Sequence, residues 1–396
     1  MKNKFGTLFV LLILSCTSMH GYGKVIEKKG LDAYKKGDYT TALKEFKSLP
    51  IEKRYASAQY LIGLMYDYGQ GVPQDSTEAV KWFRLAANSG FYMAEYSLGL
   101  LYQFGSGVQK DYNQAMQWYE KAADKSYAPA QYKVGVMYNN GWGIKQDYEQ
   151  AIKWYKKAIK QNYAKAQYNL GWMYSKGQGV SQDNKEAVKW YRLAADQGDA
   201  AAQNNLGWKY ASGQGVAKNY KEAVKWYRLS AVQGDATAQI NLGWMYEKGK
   251  GVPKNYKEAV KWYRLSADQG NSWAQYNLGK MYSDGEGVLR NYKEAEKWYR
   301  LAADQGYDFA QNILGLMYRS GKGVVRDYKE AMKWYRLAAD QGNIMAIGFV
   351  AWMYENGIGV PRNYEEAIKW YRRAFDQGDT KSLRNIKYLQ KKMIRG

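Results

Sequence analysis

A tryptophan recurs every 36 residues along most of the chain, and this period constrains the fold more than any other feature. Nine Gly-x-Gly pairs and nine alanines repeat with the same step and in the same phase. The tryptophans are Trp82, Trp118, Trp154, Trp190, Trp226, Trp262, Trp298, Trp334 and Trp370. A fixed period of this length predicts a solenoid, because each unit buries its apolar face only by stacking on its neighbours.

Each unit predicts two helices. Residues 238–246 place apolar side chains at i, i+4, i+7 and i+8, which is one face of a helix. Gly249 is expected to end that helix, Asn255 to cap a second helix over residues 256–268, and Gly243 to lie where the two helices touch. The predicted fold class is therefore all-α, a right-handed superhelical solenoid of antiparallel helix pairs.

The repeated pattern is A-x-x-x-L-G-x-M-Y-x-x-G-x-G-V-x-x-[DN]-Y-x-x-A-x-x-W-Y-x-x-A-A-x-Q-G. It resembles the Sel-1-like repeat family of bacterial proteins, whose repeats are related to the tetratricopeptide repeat. The resemblance covers about residues 56–380. Four residues depart from the pattern: Lys209 replaces the usual Met or Leu, Ala351 replaces the helix-contact Gly, and Ser126 and Asn162 replace the terminal Gly.

The segments outside the array predict a leader and two caps. Residues 1–23 have the lysines and short apolar stretch of a secretory signal peptide, and the stretch is too short to span a bilayer. An alternative interpretation ends a lipoprotein signal before Cys16 and lipidates that cysteine. Residues 24–55 resemble a tetratricopeptide-like capping hairpin, and residues 381–396 predict a C-terminal capping helix with a basic tail. The mature chain is thus expected to lack a transmembrane helix and to be exported, as a periplasmic, secreted or lipid-anchored protein.

Composition argues against catalysis. One Cys and one His are too few for a disulfide, a thiolate cluster, a zinc site or a catalytic triad. The Gly-x-Gly pairs are predicted to be turns, because the Gly-Lys dipeptides lack the following Ser or Thr and the preceding strand of a phosphate-binding loop. We therefore predict a monomeric protein that is not an enzyme and needs no cofactor or metal.

Basic residues recur on the second helix. The chain has 59 Lys and Arg against 37 Asp and Glu, a formal net charge of +22. Six of the basic residues lie at i, i+4 and i+7 in two successive units and are called the basic ridge: Lys221, Lys225, Arg228, Lys257, Lys261 and Arg264. One interpretation is a solvated face that keeps a repetitive protein soluble. The other is attraction to an anionic envelope polymer, while export disfavours nucleic acid as the partner.

A second series of residues lies on the first helix, away from its predicted core face. In the tetratricopeptide relatives this stripe lines a concave groove where an Asn bonds a bound peptide, so the resemblance implies a similar groove here. The residues, called the first-helix stripe, are Tyr168, Asn169, Trp172, Asn205, Trp208, Asn241, Trp244 and Asn277. An alternative is that the aromatic rings fill gaps between neighbouring helices. The sequence thus predicts a non-catalytic scaffold that binds a protein or peptide segment in this groove, with polymer binding by the basic ridge as the alternative.

Overall fold

The structure is a computed structural model that describes residues 23–48 and 55–395. Residues 1–22, which hold most of the predicted signal peptide and Cys16, lie outside the described residues. Every regular element within the described ranges is a helix, which confirms the all-α class. In this part of the chain no helix is both long and apolar enough to cross a membrane. The chain divides into two compact units, residues 1–197 and residues 198–396.

The helices of each unit are short and of similar length. Those of the first unit are α1 (Gly23–Lys36), α2 (Tyr39–Ser48), α3 (Ala56–Tyr68), α4 (Ser76–Asn88), α5 (Tyr92–Phe104), α6 (Tyr112–Asp124), α7 (Ala128–Asn140), α8 (Tyr148–Ile159), α9 (Ala164–Lys176) and α10 (Asn184–Asp196). Those of the second unit are α11 (Ala200–Ser212), α12 (Tyr220–Val232), α13 (Ala236–Lys248), α14 (Tyr256–Ala267), α15 (Ser272–Asp284), α16 (Tyr292–Asp304), α17 (Asp308–Ser320), α18 (Tyr328–Asp340), α19 (Ile344–Asn356), α20 (Tyr364–Asp376) and α21 (Ser382–Arg395).

The helix pair α13 and α14 begins and ends where its sequence predicts caps. Gly249 follows α13 in the left-handed conformation, with φ of 65°, and its N–H donates to the Met245 carbonyl. The side chain of Asn255 accepts a hydrogen bond of 3.1 Å from the backbone N–H of Glu258, which caps the start of α14. Both predicted caps are therefore present.

The predicted helix contact at Gly243 is also confirmed, and its partner is an aromatic ring. A Cβ at Gly243 would lie 2.8 Å from Cδ1 of Tyr263, closer than carbon atoms approach. Tyr263 is fully buried, and its hydroxyl donates a 2.7 Å hydrogen bond to Glu247. Glycine at position 243 therefore leaves the room on α13 that the Tyr263 ring occupies.

The second glycine of each Gly-x-Gly pair has a separate role. Gly251 has φ of 75°, and a Cβ there would collide with the backbone carbonyl of Tyr220, the first residue of α12. The loop after α13 therefore lies directly on the start of the second helix of the preceding repeat. The pairs are turns, as predicted, and they also set how closely successive repeats stack.

The periodic tryptophans contribute mainly to packing. Trp226 and Trp262 are 7% and 8% exposed, and the indole Nε1 of each is buried without a hydrogen-bond partner. An arginine completes the contact with the next repeat, because Arg228 donates a hydrogen bond to the hydroxyl of Tyr246. Tyr246 is half-buried at this contact, although the apolar pattern places it on the core face.

A glutamine pair, which was not expected from the sequence, also joins successive repeats. Gln233 Nε2 donates a 2.8 Å hydrogen bond to Oε1 of the buried Gln203, 30 residues earlier. The same pair recurs in the second unit as Gln269 with Gln239, Gln305 with Gln275 and Gln341 with Gln311. Because each buried amide is satisfied only when the neighbouring repeat is in place, the pairs fix the register of stacking.

Candidate functional site

The basic ridge consists of two kinds of residue in the structure. Its lysines are exposed, and Lys225 Nζ lies 3.9 Å from the carboxylate of Glu222 on the same helix. Its arginines instead hold the next repeat, since Arg228 and Arg264 each donate a hydrogen bond to a tyrosine hydroxyl. Part of the predicted ridge is therefore structural, and the charge directed to solvent comes mainly from its lysines.

Two tryptophans of the first-helix stripe lie together in the second unit. Trp208 on α11 and Trp244 on α13 border a cleft of about 320 Å³. We call it the aromatic cleft, and its main lining residues are Trp208, Tyr220, Tyr227, Asn241, Trp244 and Trp273. Trp208 is 44% exposed, which is unusual for so large a ring. The structure thus brings together three residues that the sequence predicted, Trp208, Asn241 and Trp244.

The repeat positions the rings of the cleft. Trp208 and Trp244 occupy the same place in successive first helices, so stacking of the repeats brings them to the same face. Tyr227 packs behind them against Gly207, where a Cβ would lie 2.8 Å from the ring. Trp273, near the start of α15, meets Tyr263 edge to face with ring centroids 6.2 Å apart. Buried neighbours therefore hold the exposed rings in place.

Asn241 is the amide that lines the cleft. Its Nδ2 donates a 3.0 Å hydrogen bond to the side-chain oxygen of Asn204. Asn277 is buried and donates to the backbone carbonyl of Trp273 at 2.8 Å, and Asn205 is half-buried. Neither Asn277 nor Asn205 lines the cleft. The cleft therefore holds one oriented amide beside its tryptophans rather than a row of four.

The remaining residues of the stripe lie in the first unit. Trp172 is half-buried and packs against a core cluster of that unit. Tyr168 lies beside Tyr191, with ring centroids 5.8 Å apart. The amide of Asn169 donates a 3.1 Å hydrogen bond to the hydroxyl of Tyr155. In the first unit these side chains have packing partners of their own.

Lysines surround the aromatic cleft. Lys250 Nζ lies 4.4 Å from the ring centroid of Trp244 and 5.2 Å from that of Tyr220. Lys218 Nζ lies 5.0 Å from the Tyr220 centroid. Its hydrogen bond to the phenol, together with the charge of Lys250, lowers the pKa of Tyr220. The lining residues include no Asp or Glu, and the ammonium groups of Lys218 and Lys250 lie over their rings.

Lys209, one of the departures from the repeat pattern, also adjoins the cleft. It takes the place that Met245 takes in the next repeat, and it is only 2% exposed. Its ammonium lies 5.1 Å from the Trp208 ring centroid and 3.5 Å from Oε1 of Gln214. A lysine so deeply buried is unusual, because burial removes the water that solvates its charge.

A buried carboxylate lies on α13, the helix that carries Trp244. Glu247 is 5% exposed, and its oxygens lie 2.6 Å from Lys248 Nζ and 3.6 Å from Lys280 Nζ. Burial alone would raise the pKa of Glu247, but the hydrogen bonds from Lys248 and Tyr263 and the charge of Lys280 hold it below its ordinary value. Glu247 is thus ionised and already neutralised by its own partners.

Three of the main lining residues were not predicted from the sequence, namely Tyr220, Tyr227 and Trp273, and neither was the neighbouring Lys250. Tyr220 is periodic, and its place at the start of a second helix gave no indication of function. Trp273 and Lys250 occupy variable places in the repeat, where residues such as Thr237 and Gln214 stand in other units. The indication that the sequence offered was that Trp273 and Lys250 differ from the residues at the same places in other repeats. Such departures are informative because the stacking of repeats does not require them.

Among the described residues, no group of three or more His, Cys, Asp or Glu side chains could hold a metal ion. The fold is a stack of helix pairs, and the chemistry at its surface is that of aromatic rings, an amide and lysines. These features define an all-α repeat protein.

The chain belongs to the Sel1 repeat family, whose repeats generally mediate protein–protein interaction. The family model of the Sel1 repeat matches nine segments, which are residues 56–91, 93–127, 128–163, 164–199, 200–235, 236–271, 274–307, 308–343 and 344–379. No curated protein matches the chain.

Two solved structures support the fold. A protective antigen present in uropathogenic Escherichia coli strains, which displays the same repeat fold, is 32% identical, with a TM-score of 0.60 over 98% of this chain and 90% of that one. A Sel1 repeat protein from Oxalobacter formigenes is 36% identical, with a TM-score of 0.56 over 62% of this chain and 96% of that one. The predicted solenoid of helix pairs is confirmed.

Proposed function

We propose that the protein is an exported, non-catalytic scaffold that binds a segment of a partner protein at the aromatic cleft. The observation that carries this proposal is the exposure of Trp208 beside Trp244 and Asn241 in a cleft of about 320 Å³. Large rings that are held rigidly and partly open to solvent are the residues expected at binding hot spots. The leader-like residues 1–23 support export to the envelope or secretion.

The competing function is attraction of an anionic envelope polymer to the basic ridge. Two features make it the weaker candidate. The arginines of the ridge are engaged by tyrosines, and Lys225 has a carboxylate partner 3.9 Å away. Exposed charges of this kind interact weakly through salt-screened water.

The experiment is a pull-down from envelope extract with the wild-type chain and matched variants. Trp244→Ala should weaken capture of the partner by roughly 30-fold or more, which corresponds to about 2 kcal/mol for an aromatic anchor. Trp352→Ala is the control, because Trp352 occupies the same place in a later repeat and does not line the cleft. Circular dichroism checks that both variants keep their helicity.

Charge reversal at Lys221 and Lys225 tests the competing function. Arg228 is left unchanged in this variant, because it also holds Tyr246. The scaffold proposal expects capture to survive the charge reversal and to be lost in Trp244→Ala. The reverse result, with capture intact in Trp244→Ala and lost on charge reversal at low salt, would replace the proposal with polymer binding.

A further inference from the structure

The lysine at the edge of the aromatic cleft, Lys250, occupies a place that varies between repeats. Position 250 lies in the loop after the first helix, over the tyrosine that starts the preceding second helix. Trp142 occupies the equivalent place in the first unit, where its ring stacks on Tyr112 with centroids 5.5 Å apart. Lys322 is the other lysine at this place in the repeat, and it lies 5.8 Å from the Tyr292 centroid. At this place in the repeat, both the neutral Trp142 and the charged Lys322 therefore lie on the tyrosine that starts the preceding second helix.

Lys250 differs from Lys322 in its surroundings. Lys250 has Trp244 at 4.4 Å and adjoins the aromatic cleft. In the repeats around Lys322, Lys280 and Leu316 occupy the places that Trp208 and Trp244 occupy around Lys250. Of the two lysines at this place in the repeat, Lys250 therefore lies against a tryptophan that lines the cleft, whereas Lys322 has no tryptophan at the equivalent places.

Lys218 contributes positive charge but does not mark the site by itself. Its contact with Tyr220 recurs in other repeats, for example as Lys254 with Tyr256 at 4.4 Å. A recurrent contact is explained by the repeat, whereas the contact of Lys250 with Trp244 depends on residues that vary between repeats.

The charge balance at the cleft indicates the chemistry of the segment that fits there. Ammonium groups lie within 5.2 Å of the Trp208, Tyr220 and Trp244 rings, and no lining residue is acidic. The nearby carboxylate of Glu247 is neutralised by Lys248 and Lys280, so it does not offset this field. A cation placed on a ring, with no acidic partner in the lining, favours a ligand that combines an apolar group with a negative charge.

We infer that the aromatic cleft takes an acidic segment of the partner protein, with an aromatic or large aliphatic side chain in the cleft and a carboxylate at Lys250. This inference rests on the proposed function, since it specifies the chemistry of the segment that the scaffold binds. The rings supply the buried apolar area and Asn241 an oriented amide. Lys250 selects against basic segments, because like charges in a partly desolvated site repel.

The test is a selection of random 12-residue peptides displayed on phage against the full chain. The wild-type protein should enrich peptides with net negative charge and at least one aromatic or large aliphatic residue. The same selection on Lys250→Glu should lose the acidic preference. The control Lys322→Glu makes the same charge change at the same place in a later repeat and should keep that preference.

An enriched peptide is then measured by fluorescence anisotropy. Lys250→Glu should raise its Kd roughly three- to tenfold, and Lys322→Glu should leave it unchanged. Trp244→Ala should raise the Kd roughly 30-fold, whereas raising the salt concentration should weaken binding only in proteins that retain Lys250. Circular dichroism confirms that each variant is folded.

Three results would overturn the inference. Enriched peptides could be neutral or basic, or Lys250→Glu and Lys322→Glu could bind them equally well. In either case the proposed function would stand, provided that Trp244→Ala still loses the captured partner. The third result is binding of a polygalacturonate oligosaccharide while no peptide is enriched, which would assign the cleft to an acidic glycan.

Discussion

The same Gly→Ala substitution is expected to have opposite effects on stability in two first helices. At Gly243 a new methyl group would lie 2.8 Å from the Tyr263 ring. At Gly348, in the interior of α19, a Cβ would meet nothing within 4 Å. Both residues lose the entropic penalty of a helical glycine when they become alanine, so the difference between them isolates the contact with the ring.

The size of the stability change caused by Gly243→Ala depends on whether the Tyr263 ring can move. Tyr263 is fully buried, its hydroxyl is bonded to Glu247, and its ring packs against Trp273. Overpacking of such a site costs about 1–3 kcal/mol, and the better helix propensity of alanine returns about 0.5–1 kcal/mol. We therefore expect Gly243→Ala to lose about 1–2 kcal/mol. Gly348→Ala is expected to gain about 0.5–1 kcal/mol, because only the propensity changes there.

Urea denaturation followed by circular dichroism measures the difference in stability. A long repeat array need not unfold in one step, so hydrogen exchange of the α13 and α14 amides gives the local effect of Gly243→Ala. Faster exchange there, with α19 unaffected, is the expected pattern. If Gly243→Ala is as stable as the wild type or more stable, the ring does not require a glycine and the account of the helix contact is wrong.

Three further substitutions test departures from the repeat pattern. Ser126 has a positive φ of 61°, so Ser126→Gly should raise the free energy of unfolding by about 1 kcal/mol, and Asn162→Gly, at φ of 57°, should raise it less because asparagine tolerates this conformation. If Ser126→Gly leaves the free energy of unfolding in urea unchanged or lowers it, this explanation is wrong. Lys209→Met should stabilise the protein by about 1–3 kcal/mol, because it replaces a buried charge with the residue that other repeats carry. A lower urea midpoint for Lys209→Met would show that the lysine makes contacts that methionine cannot replace.

The candidate site was predictable in part. The period placed Trp208 and Trp244 at the same position in the first helices of successive repeats. Stacking of those repeats brought both to one cleft with Asn241. The Asn series was less informative, because its members have different environments: Asn277 is buried, whereas Asn241 lines the cleft. A residue's place in the repeat fixes its helix face, but its exposure depends on side chains from neighbouring repeats, which vary.

The sequence by itself determined the helix pairs and their boundaries. Gly249 and Asn255 act through local backbone conformation and local hydrogen bonds, and these are set within a few residues. Only the tertiary structure decided that Gly251 lies on the start of α12 and that Arg228 contacts Tyr246. It also decided that Lys250 lies on the rings of the cleft. The contacts of Gly251 and Lys250 with Tyr220 and of Arg228 with Tyr246 join residues 18 to 31 positions apart. They depend on the distance and angle at which one repeat packs on the next, which no local pattern encodes.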